Sequence, residues 1–566
     1  MTQSEDAADP ATLTDLLAAA VRDHGDAPAT DVSGQTLSYR ALADRVDRAA
    51  AGLARLGVGR GDRVALVLPN CPAFLVAAFA VWRLGAIAVA HHPDSRGREL
   101  RHLFEDHTAD VAIVWTRVAD RVDRLPEDAR PAHLITVSLT EDLPLRQRLA
   151  LRLPSSAAHR RRETLGDRPA PRGSMAFTRL LEHGSAAALR RIDPPGADDA
   201  AVLQYTAGAT GAPMGAILRH RNLTANVAQA RAVLPELPAG AVVHGVLPFV
   251  HAWGLTLSLL LALRAGARLV LFPTVDLEDV VRAQQRLPAE YLVAVPPLLD
   301  RLAAAAEARD VRFDALRFAF SGGTALPERV RARWARIAGG PLIEGYGLSE
   351  ASPLVLAGPP DGNAAPGTAG RPVPGTAIRV VDPDDPRRDT PGVAGELLVR
   401  GPQVFTGYWK KHTATRQVLL PDGWLRTGDV VTVADDDVVT VVDRVKDVIV
   451  SGGYAVTPSE VEAVLRDHQG VREAAVVGLL TVTGSEEVVA VVVMDEHARF
   501  REEALRAWCA RRLAPWKVPR RIVAEDALPT DAFGAVNRRR LRHQLAELAF
   551  TGRLPVTDRA EGKRRR

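Results

Sequence analysis

Short apolar runs alternate with helix-period stretches through most of this chain, and that alternation sets the fold class. Residues 63–68 (RVALVL) read as a buried strand, and residues 73–84 (AFLVAAFAVWRL) as a buried helix stopped by Gly85. Residues 87–90 begin the next strand, and the pattern returns at 111–115, 267–272, 291–295 and 318–320. Strand then helix, repeated, implies an α/β protein with mainly parallel sheets, because parallel strands need a crossover and both sheet faces then carry helices. The longest apolar stretch, residues 64–82, is interrupted by Pro69, Asn70 and Pro72 and reads as strand, turn and helix, not as a membrane span.

The texture changes past Gly375. Short β-like runs at 378–381, 395–399 and 438–442 suggest a smaller, partly antiparallel sheet, and a further strand–helix module begins near Asp443. A chain of 566 residues exceeds one compact domain. The expectation is a large multi-sheet N-terminal domain over residues 1–442 and a small α+β C-terminal domain over 443–566. Lys+Arg is 72 against 68 Asp+Glu, a balance that argues against a nucleic-acid partner. Cys71 and Cys509 are the only cysteines, which excludes a disulfide scaffold and suggests a reducing compartment. The acidic, polar first ten residues do not read as a secretory signal, so the expected location is cytoplasmic. Only five of the basic residues are lysines, at 410, 411, 446, 517 and 563.

Residues 143–162 (LPLRQRLALRLPSSAAHRRR) set six arginines around Leu145, Leu149 and Leu153 at i, i+4 spacing. A basic amphipathic helix suits an anionic membrane surface, and a solvated surface helix is the other reading. Pro154 keeps such a helix short.

Residues 204–222 (QYTAGATGAPMGAILRHRN) are the most informative. Thr206, Gly208, Thr210, Gly211 and Gly215 crowd into ten residues. Glycines let a backbone approach a polyphosphate closely, successive N–H groups make an anion nest, and threonine hydroxyls add donors. The loop lacks G-x-x-x-x-G-K-[ST] and is not the P-loop NTPase motif. It resembles the signature loop of the adenylate-forming superfamily, which comprises acyl-CoA synthetases, adenylation domains and firefly-type luciferases and usually reads Y-T-S-G-T-T-G-x-P-K-G. Further motifs follow in that family's order: LSYRAL at 37–42, RLGAIAVAHHP at 83–93, PFVHAWG at 248–254, SGGTALP at 321–327, GYGLSE at 345–350, GWLRTGD at 423–429 and DRVKDVI at 443–449.

The resemblance implies a large domain carrying most of the site and a small C-terminal lid, and it implies an activity. An acid and ATP give an acyl-adenylate and pyrophosphate, and the acyl group then passes to a thiol, commonly coenzyme A. By the same resemblance Glu350 is the magnesium ligand, and Tyr346 stacks on adenine opposite Gly322, Gly323 and Thr324. Thr206, Gly208, Thr210, Gly211 and Ser349 bind the nucleotide. Asp429 accepts from the ribose hydroxyls, Arg444 contacts ribose or phosphate, and Lys446 marks the hinge. His251 stands near the reacting carboxylate, with a hydrogen-bonded core histidine as its plain alternative. Ala252, Trp253 and residues 295–298 shape the acceptor pocket, and residues 451–453 border the thiol tunnel.

The sequence also departs from the family. Met214 stands where the phosphate loop has lysine, and Ala207 and Ala209 where it has serine and threonine. The C-terminal motif L-P-x-T-x-x-G-K becomes LPTDAFGA at 528–535, so Ala535 replaces the lysine that bridges carboxylate and α-phosphate. Residues 479–482 (LLTV) replace a Pro-Asp turn. A charged hydrogen bond contributes about 1.5–3 kcal/mol, so each lost lysine matters. The first expectation is an AMP-forming ligase of a fatty or aromatic acid, with CoA as a possible acceptor. A relative that activates nitrite with ATP and diazotises an aromatic amine is the alternative, since a small inorganic anion has less need of that lysine. A catalytically weak nucleotide-binding relative is the third.

Overall fold

A computed structural model describes residues 9–95, 97–166, 168–184, 189, 191–206, 213–382, 385–390, 392–444, 447, 449–451, 454–456, 458–480, 486–513, 517–530 and 536–550. The chain divides into two compact units, residues 1–378 with 399–426, and residues 379–398 with 427–566.

The first unit is the expected α/β body. One sheet runs in the order Met175–Ala176, His133–Val137, Val111–Trp115, Arg63–Val67, Ile87–Ala90, Ala200–Thr206, Met214–Arg219. Its pairs are parallel except the last, an antiparallel hairpin with Tyr205 opposite Gly215 and Thr206 opposite Met214. Helix Pro72–Arg83 is buried on almost every face, which is why its sequence is apolar all round; Pro72 starts it at a position whose N–H has no helical partner. A second sheet brings Tyr291–Val293, Phe318–Ser321 and Leu342–Gly347 side by side in parallel, and Leu354–Ala357 returns antiparallel to the last. Its core is aliphatic and aromatic, with Phe313 and Trp334 buried among Val280, Leu299 and Leu302.

The second unit contains the antiparallel pair Leu425–Val433 and Val439–Arg444, a three-stranded sheet of Val471–Leu480, Glu486–Met494 and Arg521–Ala524, and helices Pro458–Arg466, Glu502–Ala510 and Arg538–Phe550. Helices on both faces of the three-stranded sheet supply its two apolar clusters. Cys71 and Cys509 are both buried and free.

One local expectation fails. The leucine series at 145, 149 and 153 does not ride one helix: Leu145–Ala150 and Ser156–Leu165 are separate helices. Pro154 disfavours helical backbone at Leu153, and Ser155 starts the second helix by accepting from the Ala158 N–H at 3.1 Å. Leu145, Leu149 and Leu153 are nonetheless 67%, 52% and 57% exposed, and Arg146, Arg148, Arg152, Arg160 and Arg161 around them are exposed too. No helix among the described residues is long and apolar enough to cross a membrane.

Candidate functional site

The first unit gathers most of the expected residues at the C-terminal ends of its parallel strands, where ligands of α/β sheets bind. Strand Phe318–Ser321 delivers Gly322–Thr324, and Leu342–Gly347 beside it delivers Tyr346. Gly322 has no room for a side chain, because a Cβ there stands 2.6 Å from the Trp253 ring and 2.9 Å from the Gly345 carbonyl. Gly323 has φ +87°, in the left-handed region that favours glycine. Trp253 stacks on Phe320 with ring centroids 5.8 Å apart, so the PFVHAWG segment and the SGGTALP loop form one wall.

His251 lies on the turn after strand Val242–Gly245, and two side chains fix that turn. Asn70 donates to the carbonyls of Gly245 and Leu247 and accepts from the Phe249 N–H, and Gln204 donates to the Val250 carbonyl at 2.8 Å. Gln204 lies two residues before Thr206, so the histidine and the root of the phosphate loop are tied together. Burial, then the neighbouring His92 ring at 6.1 Å, pushes the His251 pKa down to about 4. His251 is therefore a neutral imidazole at pH 7, able to hydrogen-bond a carboxylate but not to offer it a full charge.

Glu350 sits in the short 3-10 turn Ser349–Ala351, together with Ser349. Its Oε1 accepts from the Tyr408 hydroxyl at 2.7 Å, and its carbonyl accepts from the Phe405 N–H at 2.8 Å. Beside this carboxylate the Tyr408 hydroxyl is held protonated, its pKa raised by burial and by Glu350. A carboxylate oriented by a phenol, only partly buried and with Oε2 left to bind, fits a hard divalent cation such as magnesium.

The second unit holds Asp429 and Arg444, the two residues expected at the ribose, next to one another. Asp429 and Arg444 are register partners across the antiparallel pair, and Asp429 is buried. The turn before Asp429 is fixed by Thr427, whose hydroxyl donates to the Leu397 carbonyl and accepts from the Asp429 N–H. Gly208, Thr210, Gly211, Lys446, Ala207, Ala209, Ala535, Gly452 and Gly453 lie outside the described residues, as does the side chain of Arg444. Strand Val471–Leu480 runs into residues 479–480 of the LLTV segment, whose last two residues are also outside the described set. Arg538, three residues past Ala535, donates to both oxygens of buried Glu462 at 2.8 and 3.0 Å and lies 3.5 Å from Asp447, so its cation is committed to carboxylates.

A family model described as AMP-binding enzyme matches residues 17–409, and its C-terminal companion, AMP-binding enzyme C-terminal domain, matches 460–534. The chain belongs to the AMP-binding enzyme family. It is 34% identical to the long-chain-fatty-acid–CoA ligase of Salmonella typhimurium over 538 residues, 94% of each chain. It is 32% identical to 4-coumarate–CoA ligase 2 of Oryza sativa over 529 residues, 91% of this chain and 88% of that one. The ATP-bound MatB structure from Rhodopseudomonas palustris superposes with a TM-score of 0.78 at 26% identity, covering 95% of this chain and 99% of that one. A benzoate CoA ligase from Burkholderia xenovorans gives a TM-score of 0.76 at 26% identity, covering 94% and 99%. This AMP-binding enzyme is thus an ATP-dependent, AMP-forming ligase that activates an acid. Sequence reasoning missed the roles of Tyr408, Asn70 and Gln204, because each acts on a partner far away along the chain, even though Gln204 opens the 204–222 segment.

Proposed function

We propose that the chain converts a fatty or aromatic carboxylic acid and ATP into an acyl-adenylate and then transfers the acyl group to coenzyme A in the cytoplasm. The observation that carries this is the match to fatty-acid and hydroxycinnamate CoA ligases along nine-tenths of the chain. A carboxylate oxygen attacks the α-phosphorus of ATP in line with the departing pyrophosphate; a thiol sulfur then attacks the acyl carbon, AMP leaves and the thiol proton passes to solvent or a base. The protein supplies position and charge. Glu350, oriented by Tyr408, holds magnesium, which neutralises phosphate charge when bound. Tyr346 and Gly322–Thr324 sandwich adenine, Thr206, Ser349 and the glycine loop with Gly208, Thr210 and Gly211 hold the phosphates, and Asp429 and Arg444 take the ribose. His251 hydrogen-bonds the acid, and Trp253 bounds its pocket. Residues 443–566 turn about Lys446 between the two half-reactions.

The exposed leucines at 145, 149 and 153, ringed by arginines, support peripheral contact with an anionic lipid surface, from which an apolar acid can be drawn. Vesicles rich in anionic lipid should bind the protein at low salt and release it at high salt.

The test is AMP release with ATP and magnesium against three panels: fatty acids, aryl acids, and nitrite with an aminobenzoate. Turnover with a carboxylic acid and CoA supports the proposal. Turnover with nitrite and amine alone replaces it with diazotisation.

A further inference from the structure

Asp106 is hard to explain as a structural residue. It lies in the last turn of helix Gly97–His107, where the helix dipole disfavours a carboxylate, and it is buried. Two of the chain's five lysines reach it, Lys411 at the carboxylate and Lys410 at the main-chain carbonyl. Lys411 Nζ lies 3.5 Å from Asp106 Oδ1, and Lys410 Nζ donates to the Asp106 carbonyl at 2.7 Å. The other carboxylate oxygen accepts from the Tyr205 hydroxyl at 2.6 Å.

Tyr205 immediately precedes Thr206 on the strand that enters the phosphate loop, and it faces Gly215 on the strand that leaves it. A Cβ on Gly215 stands 3.2 Å from the Tyr205 ring and 3.6 Å from Trp409. The Trp409 N–H donates to the Gly215 carbonyl at 2.8 Å, and Tyr408 bridges Ala216, so the segment carrying both lysines runs antiparallel beside the exit strand. Lys410 itself has φ +53°, an uncommon conformation for a lysine.

We propose that Asp106, held between Lys410 and Lys411, positions both nucleotide-binding strands through the Tyr205 hydroxyl, so that ATP affinity rests on this charge network where the loop has lost its lysine. The inference depends on the reading of residues 206–214 as the ATP phosphate site. Lys410, Lys411, Asp106 and Tyr205 are positioning residues, since they act through Thr206 and Met214.

The test is calorimetric titration of the full-length protein with Mg-ATP, without any acid, alongside AMP-release kinetics. Tyr205→Phe removes one oxygen and leaves the ring packed. It should weaken ATP binding about tenfold, the loss of one charged hydrogen bond, while the KM for the acid stays the same. Lys411→Met should do likewise and Lys411→Arg should restore most of the affinity, which a merely structural role does not require. ATP binding by Tyr205→Phe within about twofold of wild type overturns the network, as does an equal rise in the ATP and acid constants with a fall in Tm. If Lys411→Met does not fold, the Tyr205→Phe titration decides alone. Wild-type protein that binds no ATP overturns both this inference and the ligase reading; ATP binding without turnover on any acid overturns only the latter.

Discussion

Two positions in this chain lack a lysine that the family signature carries, and the basic residues that the two units offer are engaged differently. In the first unit Lys411 pairs with the buried Asp106 carboxylate, which holds Tyr205 on the strand paired with Met214, and Lys410 donates to the Asp106 main-chain carbonyl. Near Ala535, the second unit offers Arg538, but that guanidinium is bound by Glu462 and approached by Asp447, and Asp447 also takes Arg542 at 2.8 Å. Pulling Arg538 out of such a partly buried pair costs on the order of 3 kcal/mol, because the buried Glu462 carboxylate is left without its cation. A nearby positive residue in the sequence is therefore not an available one.

The largest effect tests whether the first unit carries the chemistry. Glu350→Gln keeps the shape and the Tyr408 contact but removes the anion, and AMP release should fall at least ~100-fold. A variant that releases AMP as fast as wild type sinks the assignment of Glu350.

The next effect is of pH on the same unit. His91 packs against Tyr205 with ring centroids 5.4 Å apart, and its Nε2 lies 3.0 Å from that of His107. His107 Nδ1 accepts from the Ala109 N–H, so its Nε2 carries the proton and donates to His91. Burial pushes His91 down to about 3, and burial with His91, Arg63 and Lys410 nearby pushes His107 well below its usual value. Both are neutral in the fold but protonate near pH 6.5 when unfolded. Their contribution is present above that pH and is lost as pH falls towards the folded values. At pH 5 His91 alone should lower unfolding stability by about 2 kcal/mol. Denaturant melts at pH 7 and pH 5 measure it; a first-unit transition that does not move between them contradicts the neutral pair.

How much of this was legible in the sequence follows from contact range. Strands such as Ile87–Ala90 and Val111–Trp115 coincide with the apolar runs that announce them, since a strand covered on both faces must be apolar throughout. Glu350, Gly322 and Asp429 could be assigned from sequence because each stands in a run of adjacent residues that matches a family motif. Asp106 could not be: in RELRHLFEDHTAD it looks like one more surface acid, and only the fold brings Tyr205 and Lys411 to it. The break at Ala150 was missed for the opposite reason, because an i, i+4 leucine pattern was followed through a residue that precedes proline.

A third measurement attacks the comparison at its weak side. With Arg538 committed, Ala535→Lys adds a cation that Arg538 does not supply. Acyl-AMP formation from a fatty or aryl acid should rise about tenfold. No rise with any carboxylic acid, together with wild-type turnover of nitrite and an aminobenzoate that the added lysine abolishes, would instead mean a pocket reshaped around a smaller anion.

The smallest effect is the most discriminating. Met214→Lys restores the family's residue in the phosphate loop just as Ala535→Lys does in the lid, and a count of missing charges predicts equal gains. The structure argues otherwise. Tyr408 and Trp409, beside Ala216 and Gly215, lead directly into Lys410 and Lys411, so a third ammonium at position 214 adds like charge next to a segment that already carries two. Repulsion between such groups offsets much of what a new phosphate contact contributes. ATP affinity should change by less than about threefold. In the Lys411→Met background one of those charges is gone, and the same Met214→Lys change should then recover most of the lost affinity, a non-additivity expected only of residues that share a partner. ATP titrations of the two single variants and the double variant complete the cycle. Gains from Met214→Lys that are equal in both backgrounds would show that the lysine pair and the loop position do not communicate.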